Sequence, residues 1–435
     1  MTETLEKTRF ASEDFSPGAL QVVERLQTHG YEAYVVGGAI RDLLLGNRPK
    51  DFDVATDATP EQIKQCFRNA RIIGRRFQIV HVRAGREIIE VTTFRRGHEA
   101  NPSGQAAQAA QAAQAAQAAQ ASQSGRLLRD NVYGTLKEDA QRRDLTINSL
   151  YYDTSTHQLI DHLGGCADVA ERIIRIIGDP ADRYREDPVR MLRVLRFGAR
   201  LQFELAADTA AAIATHGHLL RDIPPARLFD EWLKLFMNGY SAPTFSLLQQ
   251  FGLITHLMGE GVTDALDSQH ANSLRMLALS NTDQRVADER PVTPAFLLAA
   301  LYWPATEQTA RQLSDRGESP IPAMHAAGQQ IVPAACQYLA IPKRFSLAMR
   351  DIWDLQPRLE RMQPKKVKDL LAHRWFRAAF DLRLLREETH DLDNQCSQFW
   401  AAAQKQHPEL VGSARQRRDD SARRRPRPRR RPRNA

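Results

Sequence analysis

The stretch Tyr34–Pro60, "YVVGGAIRDLLLGNRPKDFDVATDATP", decides how this chain is read. "YVVGG" closes a strand on a glycine turn, "AIRDLLLG" is a short helix with its own glycine stop, and "DFDVAT" is a second strand. Gly37 and Gly38 let the backbone approach a phosphate, and Arg41, three residues on, can fork onto phosphate oxygens. On a strand, Asp51 and Asp53 point to the same side and repel each other. A hard dication relieves that repulsion, and carboxylate oxygens suit Mg²⁺. The pair therefore reads as a metal site for phosphoryl-type transfer. The plainer alternative is a tight turn and a solvated strand face. The glycine turn and the acidic pair on consecutive strands favour the chemical reading.

Around this stretch the pattern is α/β. "PGALQVVERLQTHG" has apolar residues at helical spacing and ends in Gly30. "TPEQIKQCF" opens with a threonine cap and a proline at the first helical position. "RFQIVHVRAG" and "REIIEVTTF" alternate as a β-hairpin. "QAAQAAQAAQAAQAAQ", residues 105–120, repeats every third residue and has no large apolar side chain, so it has no face to bury. It reads as an insertion between sheet elements. After Ile160 the pattern turns almost wholly helical to about residue 400.

Two later motifs carry charge. "RRDLTINSL" supplies Arg142, Arg143 and Asp144, with Asp144 also readable as a helix cap. Glu90 and Asp144 are both candidates for a third carboxylate, and spacing does not choose between them. In "YREDPVRMLRVLRF", Asp187-Pro188 reads as a helix start, and Arg190, Arg193 and Arg196 share one face opposite Met191, Val194 and Leu195. A carboxylate at Asp187 one turn from the Arg190 guanidinium can read the edge of adenine, accepting from N6–H and donating to N1. The bland alternative is a capped amphipathic helix with a basic face in water.

The chain has 435 residues and a net charge of +8, which favours polyanionic partners. Much of that charge sits in "SARQRRDDSARRRPRPRRRPRNA", which cannot bury a core and is expected to be disordered. Cys66, Cys166, Cys336 and Cys396 are far apart with no CxxC spacing, which argues against a zinc or disulfide framework and fits a reducing cytoplasm. No secretory signal and no run of roughly 18 apolar residues is present, so no transmembrane segment is expected.

In the order GGxxRD, DFDV, EVTTFR, RRDxTIN and EDPxRMLRxxRF, these motifs resemble the class II nucleotidyltransferases of the polymerase-beta superfamily. That family holds the bacterial CCA-adding tRNA nucleotidyltransferases and the bacterial poly(A) polymerases. "NARIIGRRFQIVHV", "GRLLRDNVYGTLKEDAQRRDLTINSLYYD", "DIPPARLFDEWLKL" and the arginine-rich tail resemble the poly(A) polymerase branch more closely.

The resemblance implies an α+β fold. A small mixed-sheet head covers 16–160 with its insertion at 105–121. Nucleotide-reading neck helices follow at 161–240, a helical RNA-binding body at 241–400 and a disordered tail at 412–435. It implies template-independent addition of AMP from ATP to RNA 3′ ends, feeding RNA processing and decay, with CCA or A addition to tRNA as the alternative. A non-enzymatic RNA-binding protein with a degenerate head is disfavoured because no motif residue is lost. Asp51 and Asp53 match the family's metal-binding aspartates, Gly38 and Arg41 its triphosphate contacts, Asp144 an active-site position and Arg143 a nucleotide contact. Asp187, Arg190, Arg193 and Arg196 match the base-reading template. Expected partners are ATP, Mg²⁺, RNA 3′ ends and RNA-decay proteins, for a cytoplasmic monomer.

Overall fold

A computed structural model describes residues 10–74, 78–96, 132–259, 269–390 and 392–411. The insertion at 105–121 and the tail at 412–435 lie outside the described residues. The chain divides into two compact units: one runs up to Arg190 and includes Leu201–Ile213, and the other comprises Met191–Arg200 and the chain from Ala214 onward.

The first unit is built on a sheet. Helix α1 (Pro17–Thr28) starts where the Ser16 side chain accepts from the Ala19 amide and Pro17 fills the first helical position. Its apolar stripe, Val22, Val23 and Leu26, is fully buried. Strand β1 (Ala33–Val36) runs into α2 (Gly38–Leu44), and β2 (Asp53–Thr56) follows. The second strand is shorter than "DFDVAT" suggested: it begins at Asp53, and Asp51 lies just before it in non-regular chain. Helix α3 (Pro60–Cys66) carries a capping box between Thr59 and Gln62. Strands β3 (Ala70–Ile73), β4 (Ile79–Ala84) and β5 (Glu87–Thr93) follow, the last two forming the expected antiparallel hairpin. Helix α4 (Leu136–Arg142), β6 (Leu150–Asp153) and β7 (Gln158–Asp161) complete the sheet.

The strand order is β3-β4-β5-β2-β1-β6-β7. Pairing is antiparallel except between β2 and β5, so the sheet is mixed. The register places Val36 beside Asp53 and Asp53 beside Glu90. Thus the glycine turn after β1, the first residue of β2 and the middle of β5 stand side by side. Val35, Val54, Ala55, Val80 and Val91 are fully buried and hold these strands in place. Beyond the sheet lie α5 (Gly165–Glu171), a two-residue strand β8 (Ile173–Ile174), α6 (Pro180–Glu186), α7 (Val189–Leu201), β9 (Glu204–Leu205) and α8 (Ala207–His216). The β8–β9 pair is a short strand pairing within a region expected to be almost wholly helical.

The second unit is helical. Its elements include α9 (Pro225–Phe236), α10 (Ser241–Gln250), α11 (Leu253–Met258), α12 (Gln269–Ala287), α13 (Pro294–Asp315) and α14 (Pro320–Tyr338). They are followed by α15 (Lys343–Glu360), α16 (Val367–Ala372), α17 (Phe376–His390) and α18 (Gln395–Gln406). Trp303, Trp353 and Trp400 are fully buried among them, and Trp353 donates from Nε1 to the Ala299 carbonyl at 3.0 Å. Among the described residues no helix is long and apolar enough to cross a membrane. All four cysteines are free thiols.

Candidate active site in the head

The glycine turn supplies the site's first wall. Gly37 sits at φ +80°, ψ −129°, where an L side chain is strained, and its amide donates to the Leu150 carbonyl at 2.9 Å. This bond ties the turn after β1 to the start of β6. Gly38 opens α2, whose first-turn amides lack helical partners.

Arg41 occupies an unexpected place. It is only 2% exposed. Its Nε and Nη2 donate to Asp42 Oδ1 at 2.9 and 2.6 Å, and its Nη1 donates to Asn148 Oδ1 at 2.6 Å. To fork onto a phosphate, Arg41 would have to be reached at a position that is almost wholly buried. As it stands, it clamps the helix after the glycine turn to the "TIN" segment.

Carboxylates form the second wall. The Asp53 carboxyl is open to water yet crowded by protein, and its pKa is pushed up to about 6. Partial burial is the main cause, the negative charges of Glu90 and Asp51 add to it, and Arg143 opposes it. Glu90, across the ladder from Asp53, is half exposed and approaches His81 Nε2 at 3.3 Å. Asp51 is exposed. Neither the Asp51 nor the Asp53 side chain makes a hydrogen bond or ion pair among the described residues. No group of three His, Cys, Asp or Glu side chains able to enclose an ion stands together among them. What the site offers is an open pair of hard oxygen donors whose negative charges repel each other and are opposed by Arg143. That donor set suits a divalent oxygen-seeking cation.

Positive charge meets this wall from α4 and the segment after it. Asp139, 1% exposed, is the hub. Its Oδ1 accepts from Arg142 Nε and Nη2 at 2.8 and 2.6 Å and from the Arg95 amide at 3.1 Å. Its Oδ2 accepts from Arg143 Nε and Nη2 at 3.2 and 3.0 Å and from the Tyr151 hydroxyl at 2.8 Å. Arg143 Nε also donates to the Tyr151 oxygen at 2.9 Å. Two of the three guanidinium nitrogens of Arg143 are thus fixed, and the third, Nη1, stands 3.8 Å from where a Cβ on Gly37 would lie. Arg143 therefore presents one donor to the glycine turn while its charge is felt at Asp53.

Asp144 is not a helix cap. The helix ends at Arg142, and Asp144, half-buried, accepts from the Leu145 amide at 2.9 Å. Asp187 likewise closes α6 rather than opening α7 as its outright N-cap; helix α7 begins at Val189, whose amide donates to Asp187 Oδ1 at 3.2 Å.

Arg183 was not singled out from the sequence, yet it couples these motifs. Its Nη2 donates to the carbonyls of Arg142 and Arg143 at 2.8 and 2.6 Å, and its Nη1 donates to Glu186 Oε2 at 2.8 Å. The same Glu186 oxygen takes Arg190 Nη1 at 2.5 Å, and Arg190 Nη1 reaches the Arg183 carbonyl at 2.9 Å. Asp187 and Arg190 are thus tethered to the backbone of the "RRD" segment. Arg193 and Arg196 follow on later turns of the same helix, within the second compact unit, and the Arg196 guanidinium lies 4.7 Å from the Phe197 ring centre. For Asp139 a signal existed: a carboxylate three and four residues before Arg142 and Arg143 is a helical pairing pattern. For Arg183 none did, because its partners are backbone carbonyls some forty positions away.

The structure therefore brings together Gly37, Gly38, Asp51, Asp53, Glu90 and Arg143 around the central strands of the sheet, and buries Arg41 beside them.

Known proteins resemble this chain in sequence and in fold. Residues 33–175 match the poly A polymerase head domain, 202–265 the probable RNA and SrmB-binding site of polymerase A, and 316–434 the polymerase A arginine-rich C-terminus. Poly(A) polymerase I of Salmonella typhimurium is 44% identical over 434 residues, covering 98% of this chain and 91% of the relative. Poly(A) polymerase I of Escherichia coli O157:H7 is 46% identical over 387 residues, covering 88% and 81%. Among solved structures, the Bacillus stearothermophilus CCA-adding enzyme in complex with CTP aligns with a TM-score of 0.64 at 25% identity, covering 92% of this chain and 85% of the other. With a mixed-sheet head, a helical remainder and near-complete coverage by its relatives, this chain belongs to the bacterial poly(A) polymerase I family, within the nucleotidyltransferases that include the CCA-adding enzymes.

Proposed function

We propose that this chain transfers AMP from ATP to the 3′-hydroxyl of RNA without a template, releasing pyrophosphate. The observation that carries the reading is Asp53: a carboxyl burdened by Glu90 and Asp51, faced by Arg143, beside a glycine turn. The 3′ oxygen forms the new bond to the α-phosphorus, the bond to the β-phosphate bridging oxygen breaks, and the hydroxyl proton is lost to solvent.

Asp51 and Asp53 would hold Mg²⁺, which when bound lowers the pKa of the RNA hydroxyl and offsets phosphate charge. The protein's own residues position the reactants. Gly37 and Gly38 let the triphosphate lie close to the backbone, and Arg143 donates from Nη1 to a phosphate oxygen. Arg41 keeps the turn in place by gripping Asn148 and Asp42. Asp187 accepts from adenine N6–H while Arg190 donates to N1, with Arg193 and Arg196 further along the same helix serving the phosphates. Asp144 belongs to the catalytic set beside Arg143. Holding the reactants in line removes much of the entropic barrier.

CCA or A addition to tRNA is the second reading, favoured by the CCA-adding enzymes among the related structures. An incorporation assay separates the two. The chain is incubated with tRNA lacking its 3′ end and with an unrelated RNA, each with single nucleotides. Long adenylate tracts on the unrelated RNA are expected, and incorporation of CTP would overturn the reading. Asp53→Asn should bind RNA with unchanged affinity and lose about 10³-fold or more in kcat.

A further inference from the structure

The helical body carries a cavity of 410 Å³ where the end of α15 meets α16 and α14. Its wall includes Arg358, Arg361, Lys366 and His373, with Leu355 and Leu370 as apolar surface and Asp369 as the acidic member. Lys366 lies 3.5 Å from Asp369. Several arginines of this body are matched with carboxylates. Arg374 pairs with Asp351, Arg377 with Asp381, Arg383 with Glu360 and Glu387, and Arg386 with Glu307 and Glu360. The side chains of Arg358 and Arg361, both exposed, make no hydrogen bond or ion pair among the described residues.

Two further features shape the place. Met362, between Arg361 and Gln363, holds φ +44°, a left-handed conformation that costs a non-glycine residue about 1–3 kcal/mol. That bend follows the end of α15, which Arg361 caps. His373 Nδ1 accepts from the Trp375 amide at 3.2 Å, so the neutral ring carries its proton on Nε2. The wall is therefore rich in donors, with an apolar flank and one carboxylate already engaged by lysine.

We propose that this cavity is an RNA subsite that takes a phosphodiester of the growing strand, Arg358 and Arg361 gripping phosphate oxygens and Leu355 and Leu370 packing against the ribose or base. The proposal rests on RNA being the substrate. Its volume lies within the range of about 300–1,000 Å³ typical of small-ligand sites, which leaves room for one nucleotide. Charge selects the occupant: unpaired guanidiniums call for a polyanion, and the chain's own arginine-rich C-terminal stretch has the wrong sign. The site lies outside residues 202–265, the stretch matched to an RNA-binding segment.

The test uses the full chain and a 5′-fluorescein oligoadenylate of about 15 nucleotides, read by fluorescence anisotropy over a salt series. Arg358→Ala/Arg361→Ala is compared with wild type and with Arg316→Ala/Lys343→Ala, which removes equal charge from exposed positions elsewhere in the body. On single strands each phosphate contact contributes about 0.7 to the salt slope, so losing two lowers the slope by about 1.4 and weakens binding about 25-fold near 0.1 M salt. The control pair should change both far less. Equal effects from the two double variants, or none from the first, would overturn the subsite. Anisotropy does not depend on turnover, so a wild-type chain that binds RNA but adds no adenylate would refute the proposed reaction and leave this result standing. Binding of a protein partner at this cavity in place of RNA, with RNA affinity unchanged, would also overturn it.

Discussion

Replacing Asp139 by asparagine should unseat Arg143, and the structure sets the size of the effect. The carboxylate receives four hydrogen bonds from Arg142 and Arg143, one from Tyr151 and one from the Arg95 amide. An asparagine has nearly the same shape, but one of its two terminal atoms becomes a donor facing donors. Removing one partner of a buried ion pair costs about 3–5 kcal/mol. Arg142 and Arg143 are 29% and 19% exposed and can turn partly to water, so the low end, about 3 kcal/mol, applies. That is a large part of a domain's stability of about 5–15 kcal/mol, and for a domain this size it lowers Tm by about 6–12 °C.

The pH dependence follows from the carboxyl's environment. Burial pushes the Asp139 pKa up, but Arg143, Arg142 and the Tyr151 hydrogen bond outweigh it and hold the carboxyl below the usual range. A lowered folded-state pKa gives stability that is complete above the unfolded value of about 3.9 and is lost as pH falls through the folded value. The wild-type minus Asp139→Asn difference should be flat from about pH 6 to 8 and begin to shrink as pH falls below about 4. Thermal melts across pH provide the assay, with the KM for ATP measured alongside because Arg143 loses its anchor. An unchanged Tm at pH 7, or a gap that widens as pH falls below about 4, would refute the role given to Asp139.

Two other substitutions probe the same neighbourhood. A Cβ on Gly165 would stand 2.3 Å from the Thr146 carbonyl oxygen, a backbone atom that cannot yield cheaply. Gly165→Ala should therefore destabilise by about 1–3 kcal/mol or more and disturb the segment after Asp144; an unaltered melt would contradict this. Arg183→Lys replaces a planar fork with a point charge that cannot hold two carbonyls and Glu186 together. Its kcat/KM for ATP should fall about tenfold, and unchanged steady-state kinetics would remove Arg183 from the positioning network.

Local chemistry alone determined much of this protein. Glycine stops, a proline after a threonine cap, and alternation of apolar residues wrote the order of the head's elements, because each depends on neighbours within a few positions. The candidate residues were legible for the same reason: Gly37, Asp53, Arg143 and Asp187 sit in short motifs whose residue types already suggest phosphate, metal and base. Their relation to one another was not. Val36, Asp53 and Glu90 become neighbours only through a mixed sheet whose pairing order no local pattern encodes. The burial of Arg41, the hub at Asp139 and the Arg183 clamp depend on partners that folding brings from distant parts of the chain. Hydrogen bonds between distant residues leave no periodic trace in a sequence, so only the tertiary structure decided which arginines are spent holding the head together and which remain to meet a substrate.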